Sequence, residues 1–153
     1  MEARKTEYMG KVYKSKTEAM FAHILHNKLD VYSRFTYEEK RFATPTGYIP
    51  DFIRYHGVNH FLADFIEIVE VKTMIPNPTY IKYLEEQFTW IKKNDRFNFI
   101  SFYALYVFNP YKRTFDSVLF DLDTLKLNIN DLERPAWFND NIFDEVLKYR
   151  FDL

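Results

Sequence analysis

Behind a basic lead, Phe21, Ala22, Leu25 and Leu29 recur at helical spacing after Ser15-Lys16-Thr17-Glu18, which predicts a helix from Ser15 to about Asn27. Residues 32–42 (YSRFTYEEKRF) alternate Phe35, Tyr37 and Glu39 against Thr36, Glu38 and Lys40, the pattern of a half-exposed edge strand. A turn over residues 43–47 (ATPTG) leads to a second strand, Tyr48 to Tyr55. Pro50 belongs at its start or at a bulge, because an interior proline removes a ladder hydrogen bond. HGVNH at 56–60 reads as a hairpin turn, and Phe61 to Lys72 as the longest strand, apolar enough to be central.

Residues 75–78 (IPNP) break that strand and open a helix, with Asn77 as N-cap and Pro78 at the first helical position. It should run to Lys93, burying Ile81, Leu84, Phe88 and Ile91 and leaving Lys82, Lys92 and Lys93 outside. Phe99 to Phe108 (FISFYALYVF) is expected as a strand buried on both faces, and Ser117 to Phe120 as a short edge strand. A turn at Asp121–Thr124, a loop at 134–137 (RPAW) and a last helix from Asn141 to Lys148 complete the order. An antiparallel meander followed by a crossover helix and a further strand makes an α/β fold: a mixed sheet with helices on its faces. One domain spans residues 1–153, with a core over about 10–120 and a C-terminal extension over about 121–153.

The 153 residues are 47% hydrophobic and 20% aromatic with three glycines, so the chain folds around a Phe- and Tyr-rich core. Without cysteine there is no disulfide or thiolate zinc site. No apolar run approaches the ~20 residues of a membrane span and the N-terminus lacks a signal-peptide core, so the expected location is the cytoplasm. The net charge of −1 hides a segregation: residues 1–17 carry +3, 18–71 carry −3, 72–113 carry +4 and 114–153 carry −5. Basic segments around an acidic centre suit a metal-dependent phosphodiesterase, and equally an ordinary solvated surface.

The acidic centre contains the candidate chemistry. Side chains two apart on a strand share a face, so Glu70 and Lys72 stand with Ile68, opposite Glu67, Val69 and Val71. If the strand carrying Asp51 pairs with this one, the carboxylates of Asp51 and Glu70 form an all-oxygen site suited to Mg²⁺ or Mn²⁺, with Lys72 left to handle a water. Glu18 heads the apolar stripe of the first helix. Two readings stand for it: a capping-box glutamate three residues after Ser15, or a carboxylate aimed at a metal. Asp64 and Glu67 lie on the same long strand but lack a lysine two residues on, which makes them second choices; Glu38 and Glu39 read as solvated strand residues, with the lesser alternative that one of them reaches the site. His23, His26, His56 and His60 show no metal spacing, and Gln87 reads as a helix-surface residue.

Glu18, then Pro50-Asp51, then Glu70-Val71-Lys72 resemble the signature of the PD-(D/E)XK nuclease superfamily. SKTEA, YEEKRF, YIPDF and EIVEVK are similar in order to small phage and transposon-type members, including junction-resolving endonucleases. The resemblance covers about residues 10–95; the nineteen-residue gap from Asp51 to Glu70 is longer than in compact members. It implies a restriction-endonuclease-like sheet flanked by helices. It also implies metal held by Asp51, Glu70, the Val71 carbonyl and Glu18, with Lys72 contacting the attacking water.

The function expected on this resemblance is a Mg²⁺-dependent (or Mn²⁺-dependent) deoxyribonuclease, an endonuclease in DNA recombination, repair or processing, plausibly phage-encoded and acting in the host cytoplasm. DNA is the partner, with a homodimer or a targeting protein as further partners and no membrane. The alternative is a catalytically silent nucleic-acid-binding or assembly protein that keeps the fold. A third reading, an aromatic-rich interaction domain, requires Glu70 and Lys72 to be dispersed from Asp51 in surface salt bridges.

Overall fold

A computed structural model describes residues 4–28, 33–57 and 63–151. Five strands form a mixed sheet in the spatial order β3 (Arg34–Tyr37), β4 (Phe52–Gly57), β5 (Ala63–Lys72), β6 (Ile100–Asn109), β7 (Thr114–Leu119). All neighbours are antiparallel except β5 and β6, whose parallel pairing is made by the crossover helix α2 (Pro78–Asn94). The chain is an α/β protein.

Helices α1 (Lys16–Lys28) and α3 (Asn141–Lys148) cover one face of the sheet. There Phe21, Met20 and Leu25 of α1 and Ile142, Phe143 and Val146 of α3 pack with Phe52, Val69, Val71, Ala104, Phe108 and Phe115. The C-terminal segment read as an extension thus supplies side chains to the same core as α1. On the other face, Ile81, Leu84, Phe88 and Ile91 of α2 pack on Ile68, Tyr103, Leu105 and Val118. Each fully buried Phe or Leu contributes about 1.5–3 kcal/mol relative to an exposed one.

Several boundaries differ from expectation for local reasons. The expected basic lead forms a hairpin, β1 (Thr6–Tyr8) and β2 (Lys11–Tyr13), turning at Met9 and Gly10, both with positive φ. The strand expected over 32–42 is regular only to Tyr37, because Glu38 adopts a left-handed φ of 46° and turns the chain away from the ladder. Phe42 and Tyr48 still bridge across the 43–47 turn. Gly47 has a φ of 73°, and an added Cβ would run into the Arg41 guanidinium. β4 begins only at Phe52, leaving Pro50 outside the ladder. Register shifts lie at His56/Gly57 in β4 and between Ile66 and Glu67 in β5, at the end of the sheet away from Lys72. β6 is buried from Tyr103 to Phe108, while Phe99 and Phe102 before that stretch are exposed. β7 is longer than the four residues expected, beginning at Thr114.

Candidate active site

The fold brings Glu18, Asp51, Glu70 and Lys72 to one end of the sheet. Phe52 pairs with Val69, so the residue before it, Asp51, stands beside Glu70 and Val71. The Val71 N–H donates to Asp51 Oδ2 at 2.8 Å, closing the ladder with a side chain. Glu70 lies on the α2 face with Ile68, as the alternation requires, and only 4% of its surface is exposed. Lys72 Nζ is 3.6 Å from Glu70 Oε1. Among the described residues, Glu18, Glu38 and Asp51 each offer an oxygen within 4.8 Å of the other two.

Glu18 unites its two readings. Ser15 Oγ accepts from the Glu18 N–H at 3.1 Å and donates to Glu18 Oε1 at 2.9 Å, capping α1. Glu18 Oε2 accepts from the Tyr37 hydroxyl at 3.1 Å, and one oxygen of the carboxylate belongs to the acidic group. Glu38 was read as solvated; its turned backbone, bonded through Glu38 N–H to the Asp51 carbonyl at 3.0 Å, delivers its carboxylate to the site. Lys14 Nζ lies 2.9 Å from Glu38 Oε1.

Glu70 is held differently. The buried Tyr48 hydroxyl donates to its Oε2 at 2.6 Å and the Tyr80 hydroxyl to its Oε1 at 2.7 Å. It does not join the three carboxylates that approach within 4.8 Å. Val71 enters the site through its N–H.

The electrostatics follow from this crowding. Burial, then the charges of Glu70 and Glu18, push the Asp51 carboxyl well above the usual range, against the Val71 N–H and Lys72, which favour its charged form. Glu18 is also raised, because burial outweighs its bonds from Ser15 and Tyr37. The hydrogen bond and charge of Glu38 raise Lys14. A divalent cation relieves such repulsion. Oxygens around one ion with ligand bonds of ~2.1 Å lie up to ~4.2 Å apart, so three oxygens within 4.8 Å fit Mg²⁺ or Mn²⁺ after small adjustments. The hard, all-oxygen donor set matches those ions rather than zinc.

The other candidates have structural partners. Glu67 pairs with Arg54 at 2.8 Å on the opposite face of the sheet. His56 bonds Arg54 at 2.8 Å; His60 lies outside the described residues, as do the side chains of Asp64 and Leu29. Gln87, expected on the helix surface, is buried and bonds Thr44 and Thr46, pinning the turn before Tyr48 to α2. Thr73 is exposed. No protein-family model matches the chain, and comparison with curated proteins and with solved structures gave no match. Among the described residues, no helix is long and apolar enough to cross a membrane.

Proposed function

We propose that this chain is a divalent-metal-dependent deoxyribonuclease of the PD-(D/E)XK kind, acting as an endonuclease on DNA. The observation that carries the reading is the meeting of Glu18 and Asp51 within 4.8 Å, beside Glu70 and Lys72 on the neighbouring strand. These residues come from three separate stretches of chain, and surface pairing of Glu70 with Lys72 away from Asp51, which an interaction domain requires, is not what the buried Glu70 supports.

Glu18, Glu38 and Asp51 would hold the cation, with Glu70 as a further ligand through the lone pairs that its two tyrosines leave. A bound Mg²⁺ or Mn²⁺ supplies Lewis-acid polarisation of a phosphate oxygen and lowers the pKa of water. Lys72 orients the attacking water by hydrogen bonding and adds positive charge beside the scissile phosphate. Lys11, Lys14 and Lys16, exposed around the start of α1 beside Glu18, offer contacts to the flanking phosphates.

Both Glu70 oxygens already accept from tyrosines, and this favours the second reading, a silent DNA-binding or assembly protein. Purified protein incubated with branched, duplex and single-stranded DNA in Mg²⁺, Mn²⁺ or EDTA separates the two. Metal-dependent cleavage of at least one substrate, lost in EDTA and in Asp51→Asn, is expected. No cleavage by wild type, with DNA binding unchanged in Asp51→Ala, supports the silent protein instead.

A further inference from the structure

We propose that Tyr80 is a positioning residue of this site, its hydroxyl setting the plane of the Glu70 carboxylate and its ring setting the place of the Lys72 ammonium. The inference rests on the nuclease reading and adds to it an element, α2, outside the acid-and-lysine signature.

Two observations fall on this one side chain and a third closes the group. The Tyr80 hydroxyl donates to Glu70 Oε1 at 2.7 Å, Lys72 Nζ lies 4.5 Å from the centre of the Tyr80 ring, and Lys72 Nζ lies 3.6 Å from the same Glu70 oxygen. Glutamate, lysine and tyrosine thus close a triangle in which each side is a polar contact. An ammonium over an aromatic face is attracted by the ring quadrupole, and a hydroxyl on a carboxylate fixes which lone pairs remain for another ligand.

The root of Tyr80 is equally fixed. Asn77 Oδ1 accepts from the Tyr80 N–H at 2.9 Å and Pro78 starts the helix, so the cap of α2 sets the position from which Tyr80 reaches back to the strand end. Tyr80 is half-buried, and its hydroxyl goes to a carboxylate only 4% exposed. Tyr48 donates to the other oxygen from the segment before β4, so the two tyrosines hold Glu70 as a pair. Only Tyr80 also touches the lysine.

The two jobs separate chemically, because phenylalanine keeps the ring and leucine keeps neither part. Tyr80→Phe is expected to weaken Mn²⁺ binding by about tenfold in calorimetric titration, the usual effect of removing a partner of a metal ligand. Its KM for DNA should be unchanged. Tyr80→Leu should match the phenylalanine variant in Mn²⁺ affinity but lose a further tenfold or so in kcat, because general acid–base help depends on placement. NMR of the Lys72 ε-methylene gives an activity-independent readout: an upfield ring-current shift in wild type and Tyr80→Phe, lost in Tyr80→Leu.

Folded variants with wild-type Mn²⁺ affinity and kcat would overturn the proposal, as would an unshifted Lys72 resonance in wild type. Wild type and Asp51→Asn run alongside tell the two failures apart. An active wild type with a dead Asp51→Asn and indifferent Tyr80 variants removes this inference alone. A wild type that neither binds Mn²⁺ nor cleaves removes the nuclease reading and this proposal with it.

Discussion

Glu38 and Lys72 bring opposite charges to the carboxylate group, so neutralising each tests a different job. Glu38→Gln removes one of the three mutually close carboxylates and should weaken Mn²⁺ binding about tenfold, with the exposed Glu39→Gln as a control. Lys72→Ala should leave Mn²⁺ affinity intact and lower turnover by about a hundredfold or more. Calorimetry paired with single-turnover cleavage reads both; unchanged Mn²⁺ binding in Glu38→Gln would remove that residue from the metal's ligands. That Glu70 and Lys72 share a face was legible from period-two alternation, and that Asp51 comes beside them from the pairing of the two strands. Glu38 was legible only as a lesser alternative: its approach to Asp51 depends on a left-handed φ at a residue type that rarely adopts one. Tyr37, Tyr48 and Tyr80 were hidden, since among so many aromatics a tyrosine that donates to a carboxylate cannot be told from one that fills a core.

At the scale of elements, α2 does more than link two parallel strands. Its buried Gln87 holds Thr44 and Thr46, and the turn so held carries Tyr48 and Asp51 into place. Gln87→Leu leaves the buried Thr44 hydroxyl without its acceptor and should cost about 1–3 kcal/mol in urea unfolding. It should also weaken Mn²⁺ binding, whereas Glu86→Gln on the exposed side of the helix should change neither. A Gln87→Leu protein as stable as wild type would show that the turn stands without this anchor. The helices were readable from their caps and stripes. The N-terminal hairpin was not, because two three-residue strands carry too few positions for alternation to show, and Met9-Gly10 is a weak turn signal.

For the whole molecule, the buried carboxyls contribute to how stability depends on pH. Asp51 and Glu18 have folded pKa values above their unfolded ones, so the folded chain keeps protons that the unfolded chain releases above about pH 4. Stability present at low pH is therefore lost as pH rises through the folded values. In EDTA the melting temperature should fall over that range, and Asp51→Asn should flatten the fall. His23, whose pKa is lowered by burial, acts in the opposite sense near neutrality, and Glu67 in the same sense as Asp51, so the difference between wild type and Asp51→Asn is the quantity to compare. Mn²⁺ at a hundred times its dissociation constant should raise the melting temperature by about 5–10 °C in wild type and much less in Asp51→Asn. An Asp51→Asn curve parallel to wild type in EDTA would show that this carboxyl does not govern the titration.

Both slips in strand pairing, at His56/Gly57 and between Ile66 and Glu67, sit at the hairpin end of β5, while the pairs from Phe52 with Val69 onward to Lys72 with Val107 run without interruption. A residue added at the His56/Gly57 slip would leave those pairs in register, which makes that position the place for an insertion. A single residue inserted between Val69 and Glu70 would have the contrary effect, turning the glutamate and lysine toward α1 and presenting valine to the Tyr48 and Tyr80 hydroxyls.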